Sequence, residues 1–252
     1  MKNVAICCGA HPVGRKFTRH VAEFFPEKIS FVAMEKPSNY VSHHLMQYGT
    51  HEFLYEDEGQ LLKQLKEKKP ELLVLAWWPH IIHDEILSLG IPVINFHPSY
   101  LPYNRGKYPA YWSIVDDTPF GATIHLVDAG VDTGRVLWQV PVQIEPTDTG
   151  YDAYGKALDA MNSLWLKHAQ DIMTVNLPEP IKQDEVEATS HHSSEFFEYE
   201  TIEDSETVEK FIKPFLNDLR ARTYPNPKSG KRVKMGDKWY RIHLYLVEED
   251  DN

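Results

Sequence analysis

The chain has 252 residues, 42% of them hydrophobic, which suits one sizeable core or a main domain carrying a small appendage. Its formal net charge is −11, with lysine and arginine scattered apart from a modest cluster at Lys228 to Lys234, so a nucleic-acid backbone is a poor partner. No run of about 18 apolar residues occurs, so neither a spanning helix nor a membrane partner is expected.

The opening "MKNVAICCGAHPVGR" has too short an apolar run for a secretory leader and no small-residue cleavage site behind it. The only cysteines, Cys7 and Cys8, stand side by side in an apolar stretch and read as filler in a buried strand. A reducing, cytoplasmic compartment is the expectation. "NVAICC" (3–8), "ISFVAM" (29–34), "ELLVLAWW" (71–78) and "PVINF" (92–96) have the continuous apolar character of buried parallel strands. Helical patterns lie between them, such as "EGQLLKQLKEKK" (58–69), with leucines on one face and charges on the other. The alternation predicts an α/β fold, a Rossmann-like and mostly parallel sheet with helices on both faces. "GATIHLV" (121–127) and "RVLWQVPVQI" (135–144) then alternate apolar and polar residues around a polar loop, as a hairpin extending the sheet would.

Apolar residues at helical spacing follow from about 150 to 173. After "NLPEPIKQ" (176–183) the composition becomes acidic and rich in histidine and aromatics, with a helical pattern near 205–220 and strand-like "KWYRIHLYLVEE" near the end. These features predict a main domain over 1–178 and a small α+β appendage over 179–252. Pro214 should interrupt the appendage helix, and the final "EEDDN" should be solvated.

Several polar sites compete for a role. In "GAHPVGRKF", Gly9 and Gly14 could let backbone amides cradle a phosphate with Arg15 adding charge, although a plain tight turn fits equally. His80 and His83 in "WWPHIIHDE", and the pair His191 and His192, lack matching ligands at metal-site spacing and read as packed or solvated. Ser99 lacks a G-x-S-x-G frame. Asn95 and His97 differ, because alternation at a strand end turns both to one side while Phe96 faces the core. Asp132, in the loop "DAGVDTG" (128–134), can reach His97 if the hairpin packs beside the fourth strand. An Asn–His–Asp cluster then forms at the carboxyl end of the sheet, where such folds hold ligands. The bland alternative has Asn95 capping a turn and His97 bonded to backbone.

"NFHPSYLPYNRG", "PAYW" and "GATIHLVDAGVDTGRVL" resemble the signature of the formyltransferases that use 10-formyltetrahydrofolate. That pattern is N-x-H, then P-S-x-L-P, then an Asp in a D-x-G turn, matched by Asn95, His97, Pro98, Ser99, Leu101, Pro102, Asp132 and Gly134. The resemblance covers residues 71 to about 175 well, and the first seventy by architecture alone.

It implies that Asn95 donates to the formyl oxygen as charge develops there. His97 would hydrogen-bond as an imidazolium and move protons, and Asp132 would orient it and favour its charged form. N10-formyltetrahydrofolate is the implied donor, without a metal. By the same resemblance the pterin is bracketed by Trp77, Trp78, Ile81 and Ile82 on one side and by Asp128 and Val131 on the other, and the Leu101–Pro102 peptide is cis.

"YNRGKYPAYW" resembles the R-G-x-x-P-x-x-W form of sugar and tRNA enzymes, and "LRARTYPNP…GKRVKMGDKWYRI" resembles the tail of sugar N-formyltransferases. The tRNA enzymes carry a longer, basic C-terminal domain, which the acidic segment here matches poorly, and a formyltetrahydrofolate hydrolase would need a regulatory domain ahead of the first strand. The expected substrate is thus a nucleotide-linked, dideoxy amino sugar bound for surface polysaccharide such as the O-antigen of lipopolysaccharide. From charge and position, Arg15, Arg105 or Lys107 would hold the diphosphate, with Tyr108 and Tyr111 near the sugar or base. Glycinamide ribonucleotide, methionyl-tRNA and a non-catalytic binder of folate or nucleotide stay open as alternatives. The aromatic-rich tail could furnish a homodimer surface.

Overall fold

In the computed structural model, residues 3–198, 208–221 and 231–244 are described. The chain divides into two compact units, Met1–Ser193 and Ser194–Asn252. The expected break after residue 178 falls earlier than this division, because residues 181–191 fold back onto the first unit. Ile181 bridges Val136 across the sheet edge, and Ser190–His191 pairs with Arg105–Gly106.

The first unit holds a seven-stranded sheet built from β1 (Val4–Cys8), β2 (Ile29–Met34), β3 (Glu52–Leu54), β4 (Leu72–Ala76), β5 (Val93–His97), β7 (Phe120–Leu126) and β8 (Val136–Val142). Its order is β3-β2-β1-β4-β5-β7-β8, parallel through β5 and antiparallel beyond. β6 (Arg105–Gly106) and β9 (Ser190–His191) form a separate short ladder. Every residue of β1, β2 and β4 is buried, as unbroken apolar runs require of strands covered on both faces.

Two apolar layers sandwich the sheet. On one face Ile6, Val32, Val74, Ile94 and Phe96 pack against α1 (Pro12–Phe24) and the long α6 (Gly150–Met173). Phe17 of α1 is fully buried, its ring edge-on to Phe96 at 5.1 Å and to Trp165 at 5.6 Å. On the other face Ala5, Cys7, Leu73, Leu75 and Val93 meet Leu61 and Leu65 of α3 (Glu58–Lys68), together with Trp78 and Ile86. The remaining helices of this unit are α2 (Asn39–Gln47), α4 (Asp84–Leu87) and α5 (Pro109–Val115).

Local chemistry fixes the ends. Asp57 caps α3 by accepting from the Gln60 amide at 2.8 Å, and Lys69 closes it in the left-handed region just before Pro70. Thr149 and Asp152 form a reciprocal capping box at the start of α6. Burial pushes the Cys7 thiol far up and the Cys8 thiol up to about 11, so both are inert filler.

In the second unit α7 (Ser193–Glu198) is followed by a π turn at Val208–Ile212 and by α8 (Lys213–Ala221). Pro214 stands in the first turn of α8, directly after the π turn, so the helical path changes where the proline lacks an amide proton. A hairpin of β10 (Lys231–Met235) and β11 (Lys238–Ile242) turns at Gly236. The expected strand beyond residue 244, the final "EEDDN" and the start of the helical pattern at 205–207 lie outside the described residues. None of the described helices is long and apolar enough to cross a membrane.

Candidate active site

β5 and β7 lie antiparallel with Asn95 opposite His125 and His97 opposite Thr123. Alternation places all four on the face that carries Val93 and Leu75, beneath which α3 and α4 pack. The β7–β8 loop then brings Asp132 over this face. Asp132 sits at φ +54°, a left-handed conformation that Asp tolerates better than most residues.

Its carboxylate is the hub. Oδ2 lies 3.4 Å from His97 Nδ1 and accepts from the Gly106 amide at 3.0 Å. Oδ1 lies 3.4 Å from both Asn95 Nδ2 and His125 Nε2. The structure thus brings together Asn95, His97 and Asp132, and adds His125.

His125 gave no signal of its own in the sequence. It reads as one polar residue of an alternating strand, and only the β5–β7 register reveals Asn95 as its neighbour. Its Nδ1 lies 2.7 Å from the Leu126 carbonyl, and that acceptor fixes a proton on Nδ1.

The protonation of His97 differs from expectation. The residue is only 5% exposed, and burial lowers its pKa from the ordinary 6.5, with the nearby His125 and Lys107 acting in the same direction. Asp132 and the Asn104 carbonyl oppose this without overturning it. The imidazolium assigned from sequence is therefore not the resting form; His97 rests neutral. The Asn104 carbonyl can only accept, so at 3.2 Å it fixes a proton on His97 Nε2, while Nδ1 faces Asp132 Oδ2 at 3.4 Å. For Asp132 burial alone would raise the pKa, but His97, His125 and the Gly106 amide together hold it well below the usual carboxylate range. A neutral buried base flanked by two acceptors is poised to gain a proton.

The loop before α5 completes the wall. Asn104 is fully buried and left-handed, its side-chain amide donating to Ser113 Oγ at 2.7 Å and Thr118 Oγ1 at 2.8 Å. Leu101–Pro102 is cis. Gly106 has φ +94°, and a Cβ there would stand 2.3 Å from the His191 carbonyl oxygen, so only glycine fits. Lys107 and Tyr108 are exposed beside it, and Tyr111 lies edge-on to Trp112.

Arg105 takes a different part from the anion-binding one expected. It is 5% exposed, with its guanidinium bonded to Gln183 Oε1 and to both carboxylate oxygens of Glu185. A buried guanidinium needs such partners, and once satisfied it has little left for a diphosphate.

The apolar wall also departs from expectation. Trp77 lies just past β4 in the left-handed region at φ +57°, and it and Trp78 pack against different groups. Trp77 stacks on His11 at 4.7 Å, whereas Trp78 packs with Tyr55 and His80. Ile82 is core and Ile81 is exposed. On the far side Val131 is exposed, and Asp128 is spent on the Gly130 amide and the Thr133 hydroxyl. A cleft of about 600 Å³ opens between α4 and the β7–β8 loop, lined by Leu87, Ile91, Val93, Leu126, Val127 and Asp128. Of β5 the cleft reaches Val93, which shares the face of Asn95 two residues further along the strand.

The turn after β1 is not a phosphate cradle. A Cβ on Gly9 or Gly14 would collide with the carbonyl oxygens of Trp77 or Ala76, so both glycines serve the close approach of this turn and α1 to β4. The Ala10 amide is taken by Glu35 Oε2 at 2.6 Å, the Val13 amide by His11 Nδ1 at 3.3 Å, and Pro12 has none. Arg15 is half-buried, with no hydrogen-bond partner for Nε among the described residues. His83 is bonded to Glu58 at 2.6 Å, and among the described residues no group of three His, Cys, Asp or Glu side chains could hold a metal ion.

A mostly parallel sheet whose antiparallel edge carries a buried Asn–His–Asp–His cluster offers the hydrogen-bond donors and proton carriers that a group-transfer enzyme would need. A family model described as "Formyl transferase" matches residues 27–168, more than half of the chain, which therefore belongs to that family of formyl-transferring enzymes. The chain is 30% identical over 160 residues to the dTDP-4-amino-4,6-dideoxyglucose formyltransferase of Mycobacterium tuberculosis, covering 64% of this chain and 67% of that protein. Among solved structures, the sugar N-formyltransferase of a Shewanella species superposes with a TM-score of 0.62 at 20% identity, covering 98% of this chain and all of the other. The N-formyltransferase of Helicobacter canadensis, solved with folinic acid and dTDP-3-aminofucose, gives a TM-score of 0.60 at 20% identity over 77% of this chain and 72% of its own.

Proposed function

We propose that the protein transfers the formyl group of N10-formyltetrahydrofolate to the amino group of a nucleotide-linked dideoxy amino sugar, whose product serves surface polysaccharide assembly. The observation that carries the transfer chemistry is the Asp132 carboxylate held between His97, Asn95 and His125 at the carboxyl end of β5. The apolar cleft beside it suits a flat pterin ring in shape and volume, and its rim offers the backbone groups of 126–129.

In this reading a neutral amine attacks the formyl carbon. Negative charge develops on the carbonyl oxygen, and the Asn95 amide, held by nothing closer than 3.4 Å, turns to donate to it. The nitrogen becomes positive as its bond to carbon forms. The imidazole of His97 takes the surplus proton, and Asp132 and the Asn104 carbonyl stabilise the imidazolium so formed. The same proton returns to the folate nitrogen as its bond to the formyl carbon breaks. None of these steps calls for a metal.

The substrate class is supported by the closed turn after β1. A small phosphomonoester amine such as glycinamide ribonucleotide would seek a helix N-terminus. Here Glu35 occupies the available amide and brings a negative charge of its own. Arg15 and the exposed Lys107 are the cations proposed for a diphosphate, with Tyr108 and Tyr111 beside the sugar or base. The proposal extends to a homodimer, for which the small second unit offers exposed Phe215 and Trp239; light scattering in solution tests it.

The deciding assay offers N10-formyltetrahydrofolate with thymidine- and uridine-diphosphate amino sugars, glycinamide ribonucleotide and methionyl-tRNA. Folate release driven by a nucleotide amino sugar alone is expected. Turnover with glycinamide ribonucleotide or the tRNA instead would replace the substrate class, and no turnover with any amine would leave a binding protein.

A further inference from the structure

Residues 181–191 form a strap paired with Val136 at one end and with the Arg105 loop at the other, and one side chain in it joins that loop to the turn carrying Asp132. Gln183 is 6% exposed. Its Nε2 donates to the backbone carbonyls of Asp132 at 2.9 Å and Gly134 at 2.6 Å. Its Oε1 accepts from Arg105 Nε at 3.1 Å and Nη2 at 2.9 Å. All four bonds of a primary amide are thereby made, two to the turn that carries Asp132 and two to the loop that carries Asn104 and Gly106. Glu185 completes the fork on Arg105. Further along, Thr189 accepts from the Asn104 amide at 2.8 Å, and the Arg105 amide donates to the Thr189 carbonyl at 3.0 Å.

We propose that Gln183, through Arg105, is a positioning residue that sets the distance between the Asp132 carboxylate and the imidazole of His97. The inference rests on the catalytic assignment of that pair. Asp132 holds a left-handed conformation with its own carbonyl clamped, so the clamp fixes where its side chain points. Gly106 is adjacent to Arg105 and supplies the amide that orients Oδ2, so the same bracket holds both ends of that bond. A carboxylate displaced by about 1 Å costs on the order of 10²-fold in rate.

Two variants separate the halves of the bracket. Gln183→Glu keeps the acceptor for Arg105 and loses both donors to the Asp132 turn, while Gln183→Met removes all four bonds at nearly constant volume. With folding confirmed by circular dichroism, kcat should fall about tenfold to a hundredfold in both, with KM for folate changed less than threefold. The second readout is the titration of His97 by NMR in ring-labelled protein, which needs no turnover. Asp132 favours the protonated ring, whereas His125 and Lys107, which also face it, oppose protonation, so the His97 midpoint should move to lower pH in Gln183→Met, which adds no charge of its own. A midpoint that stays in place, with kcat within twofold of the unmodified protein, would overturn the proposal and leave the strap a purely structural brace. If the unmodified protein formylates no amine, the catalytic reading fails, yet the titration still reports whether Gln183 places Asp132.

Discussion

Replacing Asp132 by Asn tests the charge separately from the shape. The amide is isosteric and keeps an oxygen for the Gly106 amide, so the β7–β8 loop retains its geometry. What disappears is the negative charge 3.4 Å from His97 Nδ1. At an effective dielectric constant near 20, a unit charge pair at that distance is worth about 5 kcal/mol by Coulomb's law, an upper figure because the amide dipole recovers part of it. General acid–base catalysis contributes about 10²–10⁴-fold, equivalent to roughly 3–5 kcal/mol, and the two figures agree. The expected outcome is a kcat lower by 10²–10⁴-fold, KM for the folate nearly unchanged, and a normal circular dichroism spectrum. Tetrahydrofolate release under saturating donor and amino sugar gives the rate, and single-turnover mixing shows that the chemical step has slowed. A variant with kcat within tenfold of the unmodified enzyme would refute the reasoning, because His97 would then gain its proton without help from the carboxylate.

Asn95→Ala should lower kcat by about 10²–10³-fold, the loss found when one fixed donor to a developing oxyanion is removed, with substrate KM values moving less than fivefold. The pH profile of kcat/KM should show an acid limb from His97 with its midpoint below 6.5, since burial depresses that group and only its neutral form accepts the proton. The same depression means that the unfolded chain binds more protons there, so stability is lost as pH falls below about 6.5. Asp132, also depressed, adds stability that is present above the ordinary carboxylate value of 3.8 and lost as pH falls through its lowered one; thermal melts at stepped pH check both. Gly106→Ala should destabilise by about 1–3 kcal/mol and cost at least tenfold in kcat, because φ +94° and the His191 carbonyl leave no room for a methyl group. An unchanged melting temperature in that variant would show that the loop relaxes freely.

The parallel strands were legible because a strand covered on both faces has nowhere to place a polar residue, and "VAICC", "ISFVAM" and "LLVLA" contain almost none. β3 is half-exposed and three residues long at the sheet edge, too short and too polar for any period to show. Asn95, His97 and Asp132 were legible through alternation and the recognisable D-x-G turn. Trp77 and Trp78 part at a left-handed residue beyond β4, a backbone turn that no residue type announces. His125 and Gln183 carry no local signal, since each matters through a partner distant in the chain. Arg105 illustrates the opposite error, because a sequence shows a charge without showing that Gln183 and Glu185 have already claimed it. Residues 179–191 look like the start of an appendage by composition, yet their backbone pairs with Val136 and with the Arg105 loop. Acidic, proline-flanked sequence says little about where a chain goes when its bonds are made mainly by backbone.

The cluster also shows why the fold alone does not choose the amine. The chemistry sits on β5, β7 and the loop between β7 and β8, while the turn after β1 lies elsewhere along the same carboxyl edge and is free to change. In this chain that turn is shut by three independent features, namely the Glu35 carboxylate on the Ala10 amide, the His11 ring on the Val13 amide and proline at position 12. Any one would weaken a phosphate site, and together they answer much of the positive end of α1 with groups of the protein itself. Of the cations proposed for the diphosphate, Lys107 is exposed next to Gly106, Arg15 on α1 has one nitrogen unbonded among the described residues, and Arg105 is engaged. Cations spread over long side chains suit an extended diphosphate better than a compact monoester, and this favours a substrate that stretches from the amine at Asn95 outward.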